Sequence, residues 1–226
     1  MTELTLALEG STYAGSVAVI RGTEVIADVT LEDVEGSVPA AGRGDRMLPG
    51  VAECMKRSGA TGRDLARIVC GAGPGRFTSL RVAGAVAKGL ATGYGVDLYA
   101  VSSLLLIVAA AHPPLGEGEY LSVLDAMRGE CFGARVMVTA DGDISQRGPA
   151  VILSSRDIQE LSVAEPKLRT VGQGQRIAAA PNARGVSKVL PQIIAAGPVD
   201  IALWEPDYGR LPEAQVKREA AARTLG

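Results

Sequence analysis

Apolar and polar positions alternate from Leu4 to Leu8 and then meet the acid Glu9, which predicts a first strand ending on a carboxylate. Ser16 to Ile20 and Val25 to Thr30 repeat the strand pattern, with Arg21-Gly22-Thr23 as the turn between them, so the chain opens as a meander. Glu32 to Gly44 is rich in glycine and charge and reads as a mobile loop. The period then changes. Met47, Leu48, Val51, Cys54 and Met55 share one face of a helix starting near Asp45 and stopping at Ser58-Gly59, where glycine suits the left-handed cap. Ile68 to Gly71 predicts a fourth strand. From Phe77, Leu80, Ala83, Ala87 and Leu90 recur at helical spacing, and Asp97 to Val101 predicts a fifth strand. Ser102 to Ala111 is a very apolar helix stopped by Pro113-Pro114.

Pro113 to Glu119 marks a boundary, and the opening pattern restarts behind it. Tyr120 to Leu124 is a strand ending on Asp125, followed by a loop from Ala126 to Glu130. Cys131 to Val138 is a strand, Asp141-Gly142 a hairpin turn, and Ile144 the start of the next strand. Ser155 to Leu161 reads as helix, Leu168 to Val171 as strand, Val186 to Ala196 as a weak helix despite Pro191, and Pro212 to Thr224 as a polar helical tail. Glu9 and Asp125 thus hold equivalent places in two copies of one α/β plan. Two such units facing across a cleft is the layout of actin-like ATPases and sugar kinases, an analogy of fold that leaves activity open.

The turn Gly73-Pro74-Gly75 between the fourth strand and its helix can be read in two ways. Unpaired amides at a helix start, with glycines admitting close approach, can cradle an anion. A tight strand-to-helix connection needs the same residues. No Gly-Lys-Ser/Thr follows, so it is not a Walker loop, nor is it a dinucleotide fingerprint. Glu9 is a metal-facing carboxylate or base on one reading and a solvated strand end on the other. Asp125 with Arg128 and Glu130 is a ligand loop or a self-paired turn. The single histidine, His112, cannot build a metal site, and Ser11, Ser16, Ser79, Ser102 and Ser103 lack an evident base, which argues against a hydrolase.

Composition adds constraints. Aromatic residues are 4 % of the chain, so its cores must be built from aliphatic side chains. The formal charge of -2 gives no global signal for nucleic acid or an anionic membrane. The longest apolar run, Leu104 to Ala111, is too short to cross a bilayer, and Met1-Thr2-Glu3 is no secretory leader. Cys54, Cys70 and Cys131 lack paired spacing and fit a reducing cytoplasm. Arg81 and Lys88, seven apart, share a face of a helix otherwise smooth with Ala83, Gly84, Ala85, Ala87, Gly89 and Ala91, suited to close packing or to a subunit interface.

Gly73-Pro74-Gly75-Arg76-Phe77-Thr78-Ser79-Leu80-Arg81 with Ala87-Lys88-Gly89-Leu90-Ala91 resembles the TsaB (YeaZ) family. Leu8-Glu9-Gly10-Ser11-Thr12, Val101-Ser102-Ser103-Leu104, Asp125-Ala126-Met127-Arg128-Gly129-Glu130 and Pro206-Asp207-Tyr208-Gly209-Arg210 match further family segments in order. Glu9 and Gly10 stand where the family has Asp and Thr, Arg43-Gly44-Asp45 where it often has His-Ser-Glu, and Arg76 and Ser79 where it has Ser and Gly.

The resemblance implies an α/β, two-lobed actin-like (ASKHA, RNase H-like) fold with duplicated mixed-sheet units. It places the first lobe in residues 1–103, a smaller lobe in 104–211, and a tail in 212–226 returning to the first lobe. It implies a non-catalytic, cytoplasmic subunit of the bacterial machinery that makes N6-threonylcarbamoyladenosine in tRNAs reading codons beginning with A. Such a subunit binds a TsaD-like catalytic subunit, is joined by a TsaE-like ATPase, meets tRNA only through the complex, and forms a homodimer when alone as one further outcome. It has no cofactor of its own, with ATP at the complex interface left open. The implied interface residues are Met47, Leu48, Val51, Met55, Arg76, Leu80, Ala83, Ala87 and Lys88. Glu9, Ser11, Thr12, Gly73, Gly75 and Arg76 are the implied nucleotide-proximal set. The competing readings are a stand-alone ATPase or phosphotransferase using Glu9, Asp125 and the glycine turn, and a protease, for which no catalytic set is present.

Overall fold

A computed structural model describes residues 3–31 and 46–209. Two mixed sheets repeat one strand order. In the first, β1 (Leu4–Glu9), β2 (Ser16–Arg21) and β3 (Glu24–Thr30) form the meander, and β4 (Leu65–Gly71) and β5 (Asp97–Val101) add in parallel, giving β3-β2-β1-β4-β5. In the second, β6 (Gly118–Met127), β7 (Glu130–Val138) and β8 (Ile144–Ser154) form the meander and β9 (Arg169–Gly172) adds in parallel, giving β8-β7-β6-β9. The duplication expected from the pattern is therefore present in the topology.

Helices α1 (Met47–Ser58) and α2 (Phe77–Tyr94) cover one face of the first sheet. α1 tolerates Pro49 because the amides of a first turn have no helical partner. It ends at Gly59 in the left-handed conformation, with Lys56 and Arg57 at the negative end of the helix dipole. The start expected near Asp45 and the loop expected over 32–44 lie outside the described residues, as does the tail from 212. The opposite face of the first sheet meets α3 (Ser103–Ala109) and α5 (Val186–Ala196), and these also pack against the second sheet. One aliphatic cluster joins Ala7, Ile20 and Val69 of the first sheet to Leu104 and Ile107 of α3 and to Tyr120 and Val136 of the second. Burial on both faces explains why every residue of β1 is buried. α4 (Ser155–Ala164) lies on the far side of the second sheet against Leu121, Val123 and Leu168.

Two local expectations change, and one of the two readings of Asp125 is met. The apolar helix after β5 is shorter than 102–111: Ser102 is its cap, its hydroxyl accepting from the Leu105 amide, and the helix ends at Ala109. The loop over 126–130 is a tight hairpin tip in which Met127, Arg128 and Gly129 all take positive φ. Asp125 accepts from the Met127 amide at 2.8 Å, the self-paired alternative, and is exposed.

Candidate functional site

The glycine turn is packed on its own chain. Gly73 has φ +89°, and a Cβ there would collide with the Asp207 carbonyl. Gly75 lies against Ser11, whose carbonyl would stand 2.5 Å from an added Cβ and which accepts from the Arg76 amide at 2.9 Å. The Asp207 amide donates to the Ala72 carbonyl at 2.7 Å. The glycines therefore admit neighbouring backbone, as a tight strand-to-helix connection requires. Gly10 serves the same end, its absent Cβ leaving room for Ala83 of α2. The cavity beside Gly10, Thr12, Tyr13 and Ser79 holds about 10 Å³, the space of a single water, whereas ligand sites occupy roughly 300–1,000 Å³.

Glu9 is not a solvated strand end. It is fully buried. Its Oε1 accepts from the Ser11 amide at 2.6 Å, and its Oε2 accepts from the Ser103 hydroxyl at 2.9 Å. The Gly73 amide donates to that same hydroxyl at 3.2 Å, and the Ser103 amide donates to the Gly73 carbonyl at 2.8 Å. Among the described residues no cation pairs with Glu9. Burial pushes its carboxyl above the ordinary value, and the hydrogen bonds from Ser11, Ser103 and the Gly10 amide oppose that shift without cancelling it. Both carboxyl oxygens are thus engaged within the chain. With Asp125 exposed on its hairpin, the two strand-end acids sit in opposite environments. Among the described residues no cluster of His, Cys, Asp or Glu has the arrangement of a metal site.

The outward face of α1 and α2 has a different character. Of the residues implied for an interface, Met47, Val51, Leu80, Ala83 and Ala87 point into the core and are corrected to packing residues. Burying a side chain such as Leu80 stabilises the fold by roughly 1.5–3 kcal/mol. Leu48 is 56 % exposed, and Met55, Arg76 and Lys88 are half-buried. The exposed row of α2 is Thr78, Arg81, Ala85, Gly89 and Thr92, one or two positions away from the expected one. Three cations at α2 lie over rings: Arg76 is 3.3 Å from the Tyr13 centroid, Arg81 4.8 Å from Phe77, and Lys88 5.9 Å from Trp204. Phe77 also packs on Tyr208 at 4.7 Å. The segment carrying Trp204 and Pro206 crosses α2 at Gly84, so part of its smooth surface is used within the chain. No periodic signal in the sequence announces this packing. Its trace is the match at Pro206 to Arg210.

Comparison with known proteins adds the following. The family model described as "TsaD: tRNA N6-adenosine threonylcarbamoyltransferase" matches residues 25–180. The tRNA threonylcarbamoyladenosine biosynthesis protein TsaB of Escherichia coli is 31 % identical over 61 % of this chain and 56 % of its own length. The protein of the same name from Bacillus subtilis is 31 % identical over 56 % of this chain and 52 % of its own. The chain thus spans about half the length of these curated relatives. Among solved structures, YeaZ from Pseudomonas aeruginosa superposes with a TM-score of 0.72 at 22 % identity, covering 91 % of this chain and 99 % of that one. A crystal structure of an uncharacterized protein with similarity to peptidase YeaZ from Pseudomonas aeruginosa gives 0.75 at 24 %, covering 92 % and 100 %. The α/β fold with two mixed sheets is the actin-like one these proteins share.

Proposed function

Because the chain belongs to the family described as TsaD, tRNA N6-adenosine threonylcarbamoyltransferase, and to the TsaB (YeaZ) family, we propose that it is a non-catalytic subunit of the machinery for threonylcarbamoyladenosine in tRNA. It binds a TsaD-like catalytic subunit through the outward face of α1 and α2. A TsaE-like ATPase joins that pair, and tRNA is met through the complex. Any nucleotide belongs to the interface between subunits rather than to this chain's own cleft. The three free thiols support a cytoplasmic setting, and among the described residues no helix is long and apolar enough to cross a membrane.

The observation that supports this reading is that the glycine turn and Glu9 are engaged by the chain itself. Ser11 and Asp207 stand where the glycine turn would admit a ligand, and Glu9 is consumed in holding that turn. Exposed Leu48 with the small residues Ala85 and Gly89 presents instead a surface onto which a partner's helix can pack closely.

The test is size-exclusion chromatography with light scattering of this protein, alone and mixed with the TsaD-like protein of the same organism, with and without ATP. A co-eluting complex is expected. Ala85→Glu abolishes it and leaves the Tm unchanged, because Ala85 is exposed, whereas Ala83→Glu unfolds the chain. Absence of any complex, together with ATP turnover by this chain that depends on Glu9, overturns the proposal.

A further inference from the structure

Behind α5 the chain lays a strap beside α2. It starts on the outer strand of the first sheet, where the Val199 amide donates to the Leu98 carbonyl of β5 at 2.8 Å. Residues 200–204 then form a tight turn. Asp200 Oδ1 accepts from the Ala202 amide at 2.8 Å, and the Asp200 carbonyl accepts from the Trp204 amide at 2.8 Å. Trp204 and Pro206 close on α2 at Gly84, Lys88 lies over the indole, and Tyr208 packs on Phe77. The strap is thus tied at both ends and in its middle. It nevertheless holds Leu203 80 % exposed, more than any other large apolar side chain among the described residues. One exposed leucine is ordinary on a protein surface. What distinguishes this one is its place. α1 packs over β2 and β3, α2 over β4, and the strap runs on β5. α2 therefore lies between them, and its exposed row of Arg81, Ala85 and Gly89 has α1 on one side and the strap on the other.

We propose that the strap is part of the docking site: Leu203, beside the half-buried Trp204, takes an apolar side chain from the helix that the TsaD-like partner lays along Ala85 and Gly89. The inference rests on the reading of α1 and α2 as the partner-binding face, and adds a third element and the chemistry of what it meets. Small residues let two helix axes approach to roughly 8 Å, while a helix with its side chains is about 10–12 Å across. A helix seated that low on α2 brings its flank against whatever stands beside the row. On the strap side that is an indole and an isobutyl group, so the matching contact is aliphatic or aromatic. Tryptophan is enriched among the few residues that carry interface energy, and neighbours that exclude water complete such a contact. Glu205 and Asp207, also exposed on the strap, give the apolar pair a polar rim. The tied turn adds to affinity because no loop has to be ordered when the partner arrives.

Leu203→Cys puts one thiol on the strap of the full chain. Its modification by N-ethylmaleimide is followed by mass spectrometry of the peptide that carries it, in the lone protein at nanomolar concentration and with the TsaD-like protein of the same organism added in excess. The lone protein is expected to react as an exposed cysteine does, and the partner is expected to slow the reaction by at least about tenfold. The same thiol in an Ala85→Glu background is expected to show no slowing. Leu203→Glu is expected to keep its Tm, because the side chain stands in water, and to weaken the complex by roughly tenfold or more. Leu203→Met, which keeps the volume, is expected to bind as the wild type does. A complex that forms while the thiol stays as reactive as before, with Leu203→Glu binding like the wild type, overturns the role of the strap and leaves the binding role of α1 and α2 intact. Failure of the wild type to form any complex overturns the binding role instead. Slow reaction of the lone chain at nanomolar concentration means that the chain itself covers the strap. Protection gained by raising the concentration of the lone chain, and not by adding the partner, gives the strap to a second copy. Either result overturns the choice of partner.

Discussion

Replacing Glu9 by its two nearest relatives separates a structural hub from a catalytic acid. Glu9→Asp shortens the side chain by one methylene, so its carboxyl no longer reaches both the Ser11 amide and the Ser103 hydroxyl. A buried polar group left without its partner costs roughly 1–3 kcal/mol, and a buried methylene about 0.8 kcal/mol. The expected loss is about 2–4 kcal/mol, or roughly 4–16 °C in Tm for a chain of this size. Glu9→Gln keeps the length and remains neutral. Its Oε1 can accept from Ser11 and its Nε2 can donate to the Ser103 oxygen, so its stability near pH 7 should match or exceed that of the wild type. The pH dependence follows from the raised folded-state value. Between the ordinary value near 4.5 and that raised value, the native state holds the proton and the unfolded state does not. Glu9 thus contributes stability that is complete below about pH 4.5 and is lost as pH rises through the folded value, by at most about 1.4 kcal/mol per pH unit. Chemical denaturation from pH 4.5 to 9 should show this decline in the wild type and its absence in Glu9→Gln. A Glu9→Asp variant as stable as wild type, or a Glu9→Gln variant that is strongly destabilised, would refute the reasoning.

Other outcomes follow from the same geometry. Glu9 Oε2 lies where a Cβ on Gly71 would stand, so Gly71→Ala should destabilise the fold, and in a double-mutant cycle with Glu9→Ala the two losses should be clearly less than additive. Arg135 bridges Glu119 and Glu165, and its hydrogen bonds hold the Glu165 carboxyl below its ordinary value. That contribution is present above about pH 4.5 and lost as pH falls through the lowered value. Arg135→Gln should therefore flatten the acid limb of the stability profile with only a modest change at pH 7, as expected of a partly exposed ion pair. Burial raises the Cys54 thiol to about 11 and pushes Cys70 up as well, while Cys131 is only half-buried. A thiol reagent applied to the native protein should modify Cys131 first, with Cys54 and Cys70 reacting only on unfolding, as mass spectrometry of the labelled chain would record.

The strands and helices were largely legible because their periods are clean. β1, β2 and β5 come from short aliphatic runs, and α5 appears at Val186–Ala196 as expected, Pro191 included. The repeated strand order could be inferred from two strands ending on acids, although the halves share no visible identity. The site was less legible because it depends on which side of an element faces inward. Leu80, Ala83 and Ala87 have the spacing of a packing stripe, and spacing alone does not say whether the sheet or a partner supplies the other surface. The sheet supplies it, and the exposed row falls at Thr78, Arg81, Ala85 and Gly89. The environment of Glu9 is hidden for a related reason. A carboxylate at a strand end is ordinarily solvated, and what buries this one is Ser103, 94 residues later in the chain. Long-range pairing of that kind leaves no local trace.

The cluster that joins Ala7, Ile20 and Val69 to Leu104, Ile107, Tyr120 and Val136 also governs how the molecule comes apart. Neither sheet can expose its inner face without stripping the other, because one cluster running through α3 and α5 covers both. Amide protons of β1 and of β6 should exchange with solvent through the same rare event, with one common free energy, and a fragment holding one sheet should not fold by itself. A clamshell that opens and shuts around a substrate needs two independently folded shells and a soft seam. This chain has put a shared core in the seam, so it is built as one block.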